Sequence, residues 1–174
     1  MNVKSIEDAE KILKSIYYGT DGGMENWKSR SPKEIMKSKL GVCWDTAELQ
    51  DYLLNKLGIE HKNIITASDR AFRGENGTDE THTFVVHKTP ENKWKWIEPS
   101  WQDYKDNTLE KDTAEELIKE IVNLQSKRNK LPYSYRELSK FPGEGKDVER
   151  YYKELLGLDK KAFIASVYYQ PKII

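Results

Sequence analysis

The sequence predicts an α+β domain with a mainly antiparallel sheet. Apolar residues recur at helical spacing in several separate stretches. Between them lie short runs that read as strands, and two of these, near the middle of the chain, are joined by a turn rather than a helix. Helices and strands in one chain with hairpin-type connections give an α+β arrangement. At 174 residues the chain is long enough for one domain with a real core, and no repeat or linker divides it, so residues 1–174 read as one unit.

Each element has its own signal. Ile6, Ala9, Ile12, Leu13 and Ile16 form a helical stripe that ends by Gly19. Ser31-Pro32-Lys33-Glu34 reads as a capping box with proline in the first turn, opening a short helix that stops before Gly41. From Trp44 to Leu57, Ala47, Leu49, Leu53, Leu54 and Leu57 mark a core-facing helix stopped by Gly58. Residues 59–67 read as a strand, and 68–80 as a polar exposed loop. Strands follow at about 81–88 and 93–98. Asp112-Thr113-Ala114-Glu115 caps a helix with Ala114, Leu117, Ile118, Ile121 and Leu124 on one face. Residues 129–146 carry prolines and tyrosines without a clear period, 148–156 read as a helix ending at Gly157, and 162–170 as a last strand.

Composition excludes several classes of function. Lys+Arg and Asp+Glu both number 29, so no charge excess points to nucleic acid or a membrane surface. No apolar run has the length of a membrane span. The acidic, amphipathic start, Met-Asn-Val-Lys-Ser-Ile-Glu-Asp, is unlike a secretion signal. A single cysteine allows no internal disulfide and, with three histidines, leaves too few soft ligands for a structural zinc site. A cytoplasmic, reducing setting is the expectation.

That one cysteine, Cys43, sits in Gly-Val-Cys-Trp-Asp where a loop enters a helix. Unsatisfied backbone N–H groups and the helix dipole favour negative charge there, and they can also stabilise an oxyanion. Gly41 is expected to leave room for substrate backbone beside the sulfur. Taken alone, a cysteine is more often a small buried hydrophobe than a nucleophile.

The histidine and the acid follow from hairpin geometry. A five-residue loop of residues 88–92 would pair position 82 with 98, 84 with 96 and 86 with 94. His82, Phe84 and Val86 would then share a face with Glu98, Trp96 and Trp94, and the opposed His82 and Glu98 would be about 5 Å apart at Cβ. A slip of one residue would separate them. His82 alone is also consistent with a core histidine. His61, at a helix-to-strand corner, and His87, on the opposite face near the turn, are expected at the surface.

These segments resemble the transglutaminase-like superfamily. Gly41-Val-Cys43-Trp-Asp-Thr-Ala resembles its nucleophile helix, His82-Thr-Phe-Val-Val its histidine strand, and Trp96-Ile-Glu98-Pro-Ser its third segment. The resemblance spans residues 31–101 and implies a papain-like core, with the Cys43 helix packed on an antiparallel sheet carrying His82 and Glu98. The family's acid is most often aspartate; Glu98 is one methylene longer, and Asp103 lies in a segment that matches no part of the motif. Upstream of the cysteine, Trp27 is the candidate oxyanion residue, with Tyr17 or Tyr18 behind it and Trp44 as support beside the thiol.

The chemistry expected is cysteine-dependent acyl transfer through a thioester, on a protein or peptide substrate, with a Cys43-His82-Glu98 triad. Water as acceptor makes a peptidase or amidase; a primary amine makes a transglutaminase. No cofactor is expected, and no calcium loop of the EF-hand kind is present. Arg70, Arg73 and Trp96 are the candidate cleft residues, with the stretch around Tyr133 and Tyr135 as a further wall. The alternative is a catalytically inactive domain of the same fold that binds protein.

Overall fold

The computed structural model describes residues 3–72, 80–101 and 109–156 and the backbone of residues 167–168. It is a mixed α+β fold in which helices cover both faces of an antiparallel sheet. α1 (Ile6–Lys14) is capped by Ser5, whose side chain accepts from the Asp8 amide. It ends at Ser15, ahead of Gly19. α2 (Pro32–Ser38) starts with the expected capping box, Ser31 and Glu34 bonding each other's backbone amides.

α3 (Cys43–Leu57) is the central helix and stops at Gly58, whose φ of 68° suits a residue without Cβ. Leu49 and Leu53 pack with Leu13, Ile16 and Ile35 of the α1–α2 layer, while Ala47 and Leu54 meet Val85 of the sheet. Each leucine buried contributes roughly 2 kcal/mol, more than a cap contributes, so the apolar face dominates the helix's stability.

Two short strands, β1 (Tyr17–Tyr18) and β2 (Leu40–Gly41), pair in parallel just before α3. The larger sheet contains β3 (His61–Ser68), β4 (Thr81–Lys88), β5 (Trp94–Trp96), β6 (Leu109–Lys111), β7 (Tyr133–Leu138) and β8 (Val167–Tyr168). Its order is β6-β5-β4-β3-β7-β8, antiparallel at each pairing. Alternation splits the core in two. Ile64, Phe84, Val86 and Trp96 pack under α5 (Ala114–Asn129), with Leu117, Ile118 and Ile121. Ile65, Ala67 and Val85 face the α3 side. α6 (Val148–Leu156) adds Tyr151, Tyr152 and Leu155 to the cluster of Trp27, Val42 and Trp44.

Several expectations need correction. The hairpin loop lies one residue later, so Val86 pairs with Trp96 and Lys88 with Trp94. Parity is preserved, and the predicted faces stand. The stretch around Tyr133, expected as a further cleft wall, is a strand instead: β7 joins the sheet beside β3, with Tyr133 buried. Residues 69–72 form a helical turn (α4, Asp69–Phe72) that buries Ala71 and Phe72. Leu124 is only half-buried, and Val122, Gln125 and Ser126 complete the buried face of α5. Of the predicted last strand, residues 162–166 and 169–170 lie outside the described residues.

His87 is buried, not exposed, because helices cover both faces of β4. Burial, aided by the Lys95 charge, pushes it down to about 4, so it is neutral at physiological pH. His61 is also more than a surface residue. Its Nε2 lies 3.0 Å from Asp51 of α3 and its Nδ1 lies 2.7 Å from the Ile59 carbonyl. Two acceptors favour the imidazolium, and the hydrogen bond that His61 donates to Asp51 raises it above the ordinary histidine value against the opposing effect of burial. The stabilisation is therefore complete below about pH 6.5 and is lost as pH rises through the raised value. For His61→Ala, thermal melts are expected to show a larger deficit from the parent at pH 6 than at pH 9.

Candidate active site

The start of α3 is fixed by one carboxylate. Asp45, 2% exposed, accepts from the Val42 amide at 3.0 Å, from Trp27 Nε1 at 3.1 Å and from Arg30 Nη2 at 3.0 Å. These bonds satisfy an amide left orphaned at the helix start and pin the residue before Cys43. Gly41 belongs to the same packing. A Cβ there would sit 3.0 Å from Asp45 Cβ and 3.4 Å from Ile16 Cγ2. The glycine thus admits the start of α3 rather than a substrate.

Cys43 is the first residue of α3 and is half-buried. As such, its amide has no intrahelical acceptor. Val42 and Trp44 on either side pack with Ile65 and Ala67, at the end of β3 that pairs with the start of β4. His82 stands on β4 at that end, 4% exposed, its carbonyl accepting from Thr66 Oγ1. Its imidazole Nε2 is 2.6 Å from Glu98 Oε2, and Cys43 lines the same cleft as the ring and favours its charged form.

Glu98 reaches His82 from beyond β5 rather than from a ladder position. The strand ends at Trp96, and the observed register, if continued, would place Ser100 opposite His82. The longer glutamate side chain spans that offset. Its other oxygen, Oε1, accepts from the Ser100 amide at 2.8 Å and from the Ser100 hydroxyl. A buried carboxylate with both oxygens engaged is a fixed partner for the ring. Burial alone would favour a neutral imidazole, but the Glu98 charge, then the hydrogen bonds with Cys43 and Glu98, hold His82 well above the ordinary histidine range.

Trp101 closes the other side of the ring, stacked on His82 with centroids 4.6 Å apart and planes at 24°. Together with Tyr18, Thr81, Ser100, Gln125, Arg128 and Asn129, these groups line a cleft of about 370 Å³ with Cys43 in its wall. The cleft forms at the rim of the sheet, where the start of α3 and the last turns of α5 meet.

Of the predicted residues, the structure brings Cys43, His82 and Glu98 together. It places the others elsewhere. Trp27 is buried with its indole N–H committed to Asp45, so it supports the helix start and does not face an oxyanion. Trp44 is buried in the same aromatic cluster, 5.2 Å from Trp27 and 5.5 Å from Tyr151 between ring centroids. Trp96 is fully buried under α5, edge-on to Trp101, and is a floor beneath the site rather than a cleft wall. Arg70 is half exposed and paired with Glu80, away from the cleft lining. Arg73 lies outside the described residues, as does Asp103. Tyr133 and Tyr135 belong to β7.

Ser100, Gln125, Arg128 and Asn129 were not foreseen. Ser100 has a local signal, a hydroxyl two residues after the acid, able to turn back on it. The α5 residues have none, because only the packing of that helix brings its C-terminal turn to the thiol. Among the described residues no cluster of His, Cys, Asp and Glu suits a metal ion, and no helix is long and apolar enough to cross a membrane. No protein-family model matches the chain, and no curated protein matches it either.

Proposed function

We propose that this protein is a cysteine-dependent acyl-transfer enzyme acting on amide or peptide carbonyls, with Cys43, His82 and Glu98 as its triad. The observation that carries this reading is the His82 ring, 2.6 Å on one nitrogen from the buried Glu98 carboxylate and lining one cleft with the one thiol of the chain. Core histidines have no need of both a buried carboxylate and a cysteine at a helix start. The resemblance of these three segments to the transglutaminase-like superfamily points the same way.

In the reaction, His82 holds the thiol proton while Cys43 sulfur attacks the carbonyl carbon, forming a C–S bond. The Cys43 amide, at the positive end of α3, donates to the developing oxyanion. The C–N bond then breaks and His82 delivers its proton to the departing amine. Water, deprotonated by His82, attacks the thioester; the C–S bond breaks, the acid leaves, and the proton returns to the thiol. A primary amine in place of water would give a new amide. Glu98 fixes the ring's orientation and stabilises its charged form throughout. A cytoplasmic, reducing setting would keep the thiol in working form.

One observation favours the inactive, protein-binding alternative: the side chain expected to complete the oxyanion hole, Trp27, is committed to Asp45. Trapping separates the two readings. Incubation with an activated peptide ester, followed by acid quench and intact-mass analysis, is expected to show one acyl group per chain, mapped to Cys43 and absent in Cys43→Ala. No adduct, or one elsewhere, would favour the binding module.

A further inference from the structure

A second cleft, of about 790 Å³, opens between the start of α1, the end of α3 and the β4–β5 turn. One of its lining residues, His87, takes the opposite face of β4 from His82, so this cleft is separate from the site of Cys43. The pairing of β3, β4 and β5 sets His61, His87 and Lys95 side by side in one row across the sheet. His61 has its acid in Asp51 at 3.0 Å, and Lys95 has its acid in Glu10 at 2.8 Å. His87, between them, is 1% exposed, and its Nδ1 finds no hydrogen-bond partner among the described residues. Buried polar atoms are almost always partnered, so an orphan in the wall of a cleft calls for a group that enters the cleft.

The chemistry of that group follows from the ring and its surroundings. Burial and the Lys95 charge keep the imidazole neutral, down at about 4, so one ring nitrogen is free to accept from an N–H donor. Ile6, Leu57 and Ile59, each half-buried, give the cleft apolar walls. At its rim Glu7, Glu91 and Glu110 are exposed and take no ion pair among the described residues, against one lysine, Lys4, in the same condition. The other lining lysines, Lys88 and Lys95, are paired with Glu60 and Glu10. The geometry points to a binding site for a small aliphatic diamine. One ammonium donates to His87 Nδ1, the methylene chain lies on Ile6, Leu57 and Ile59, and the second ammonium faces the rim carboxylates. Glu10 gives Oε1 to Lys95 and its charge also acts on His87, so the inner ammonium has a counter-ion. Glutamates at a helix start and in a turn are ordinary surface features. They do not account for a buried imidazole left unpaired in the wall of the same cleft.

This inference is independent of the chemistry at Cys43, and its test uses no substrate. The probe is 1,4-diaminobutane, titrated into the full chain at constant ionic strength and read by NMR on the backbone amides of Ile6, Leu57 and Ile59. Saturable shifts are expected, with half-saturation at a concentration at least about tenfold below that of 1,4-butanediol, which has the same chain without the charges. His87→Phe, which fills the position and removes the acceptor, should abolish saturation. Glu91→Lys, in the exposed turn, should weaken binding several-fold. If the amide spectrum shows that His87→Phe does not fold, Glu91→Lys and the diol comparison decide alone. No saturable shift in the parent chain, or equal affinity for the diol, would overturn the inference and leave Nδ1 to a bound water. Binding unchanged in either variant would overturn it too, as attraction of a dication to surface carboxylates elsewhere.

Discussion

His82→Gln is expected to lower turnover of the best peptide substrate by at least about 10³-fold, the scale on which removal of a triad base acts. Glutamine can still donate to Glu98, so the buried carboxylate, 1% exposed, keeps a partner and the chain should fold. The group lost is the one that exchanges a proton with Cys43 and with the leaving amine. Since base and nucleophile act as a unit, Cys43→Ala and the double variant should each fall to about the same residual rate as His82→Gln. A drop of only a few fold in His82→Gln, with the thermal midpoint unchanged, would mean that the His82–Cys43 contact is structural.

Asp45→Ala is expected to have the largest effect on stability, a loss of about 3 kcal/mol by urea denaturation. Three donors lose their acceptor at once: the Val42 amide, the Trp27 indole N–H and the Arg30 guanidinium. The Val42 amide and the Trp27 indole are the more serious losses, since both are buried, whereas the Arg30 guanidinium is 21% exposed and keeps its bonds to Ser38 and the Leu40 carbonyl. Asp45→Asn should cost less, because an amide oxygen can still accept from Val42 or Trp27. Both variants should also slow Cys43 acylation in the molecules that remain folded, because the bond to Val42 sets the residue from which α3 begins. A cost of under 1 kcal/mol would show that the cluster is not what holds the helix start.

The parts of the fold that sequence could predict are those specified by neighbours in the chain. The Ser31–Glu34 box, the α3 face from Ala47 to Leu57, its Gly58 stop and the Thr113 cap all depend on residues within a turn or two of one another. The His82–Glu98 pairing was legible for a different reason. A loop at 88–92 in place of the observed 89–93 shifts partners by two and leaves every side chain on its face. The specific contact then came from the length of the glutamate and the turn at Pro99 and Ser100, not from direct opposition.

What could not be read depends on long-range packing. β7, Tyr-Ser-Tyr-Arg-Glu-Leu, lacks a clear apolar alternation, and its place beside β3 comes from the sheet around it. β1 is two tyrosines whose partner, β2, lies more than twenty residues later. The burial of His87 could not be read because alternation says which face a residue takes, not whether that face is covered. Trp27 illustrates the same limit: its indole was available in the sequence, and only the fold commits it to Asp45.

The central claim is that His82 and Cys43 form a reactive pair, and the pH dependence of Cys43 alkylation by iodoacetamide tests it most directly. In the folded parent chain, rapid alkylation should persist well below the free-thiol pKa of about 8.5, because the imidazolium that Glu98 maintains favours the thiolate beside it. In His82→Gln the low-pH reactivity should vanish, leaving the rate to rise only near that value. A parent thiol that is slow at every pH, or whose profile is the same in both chains, would contradict the account and leave Cys43 as part of the core.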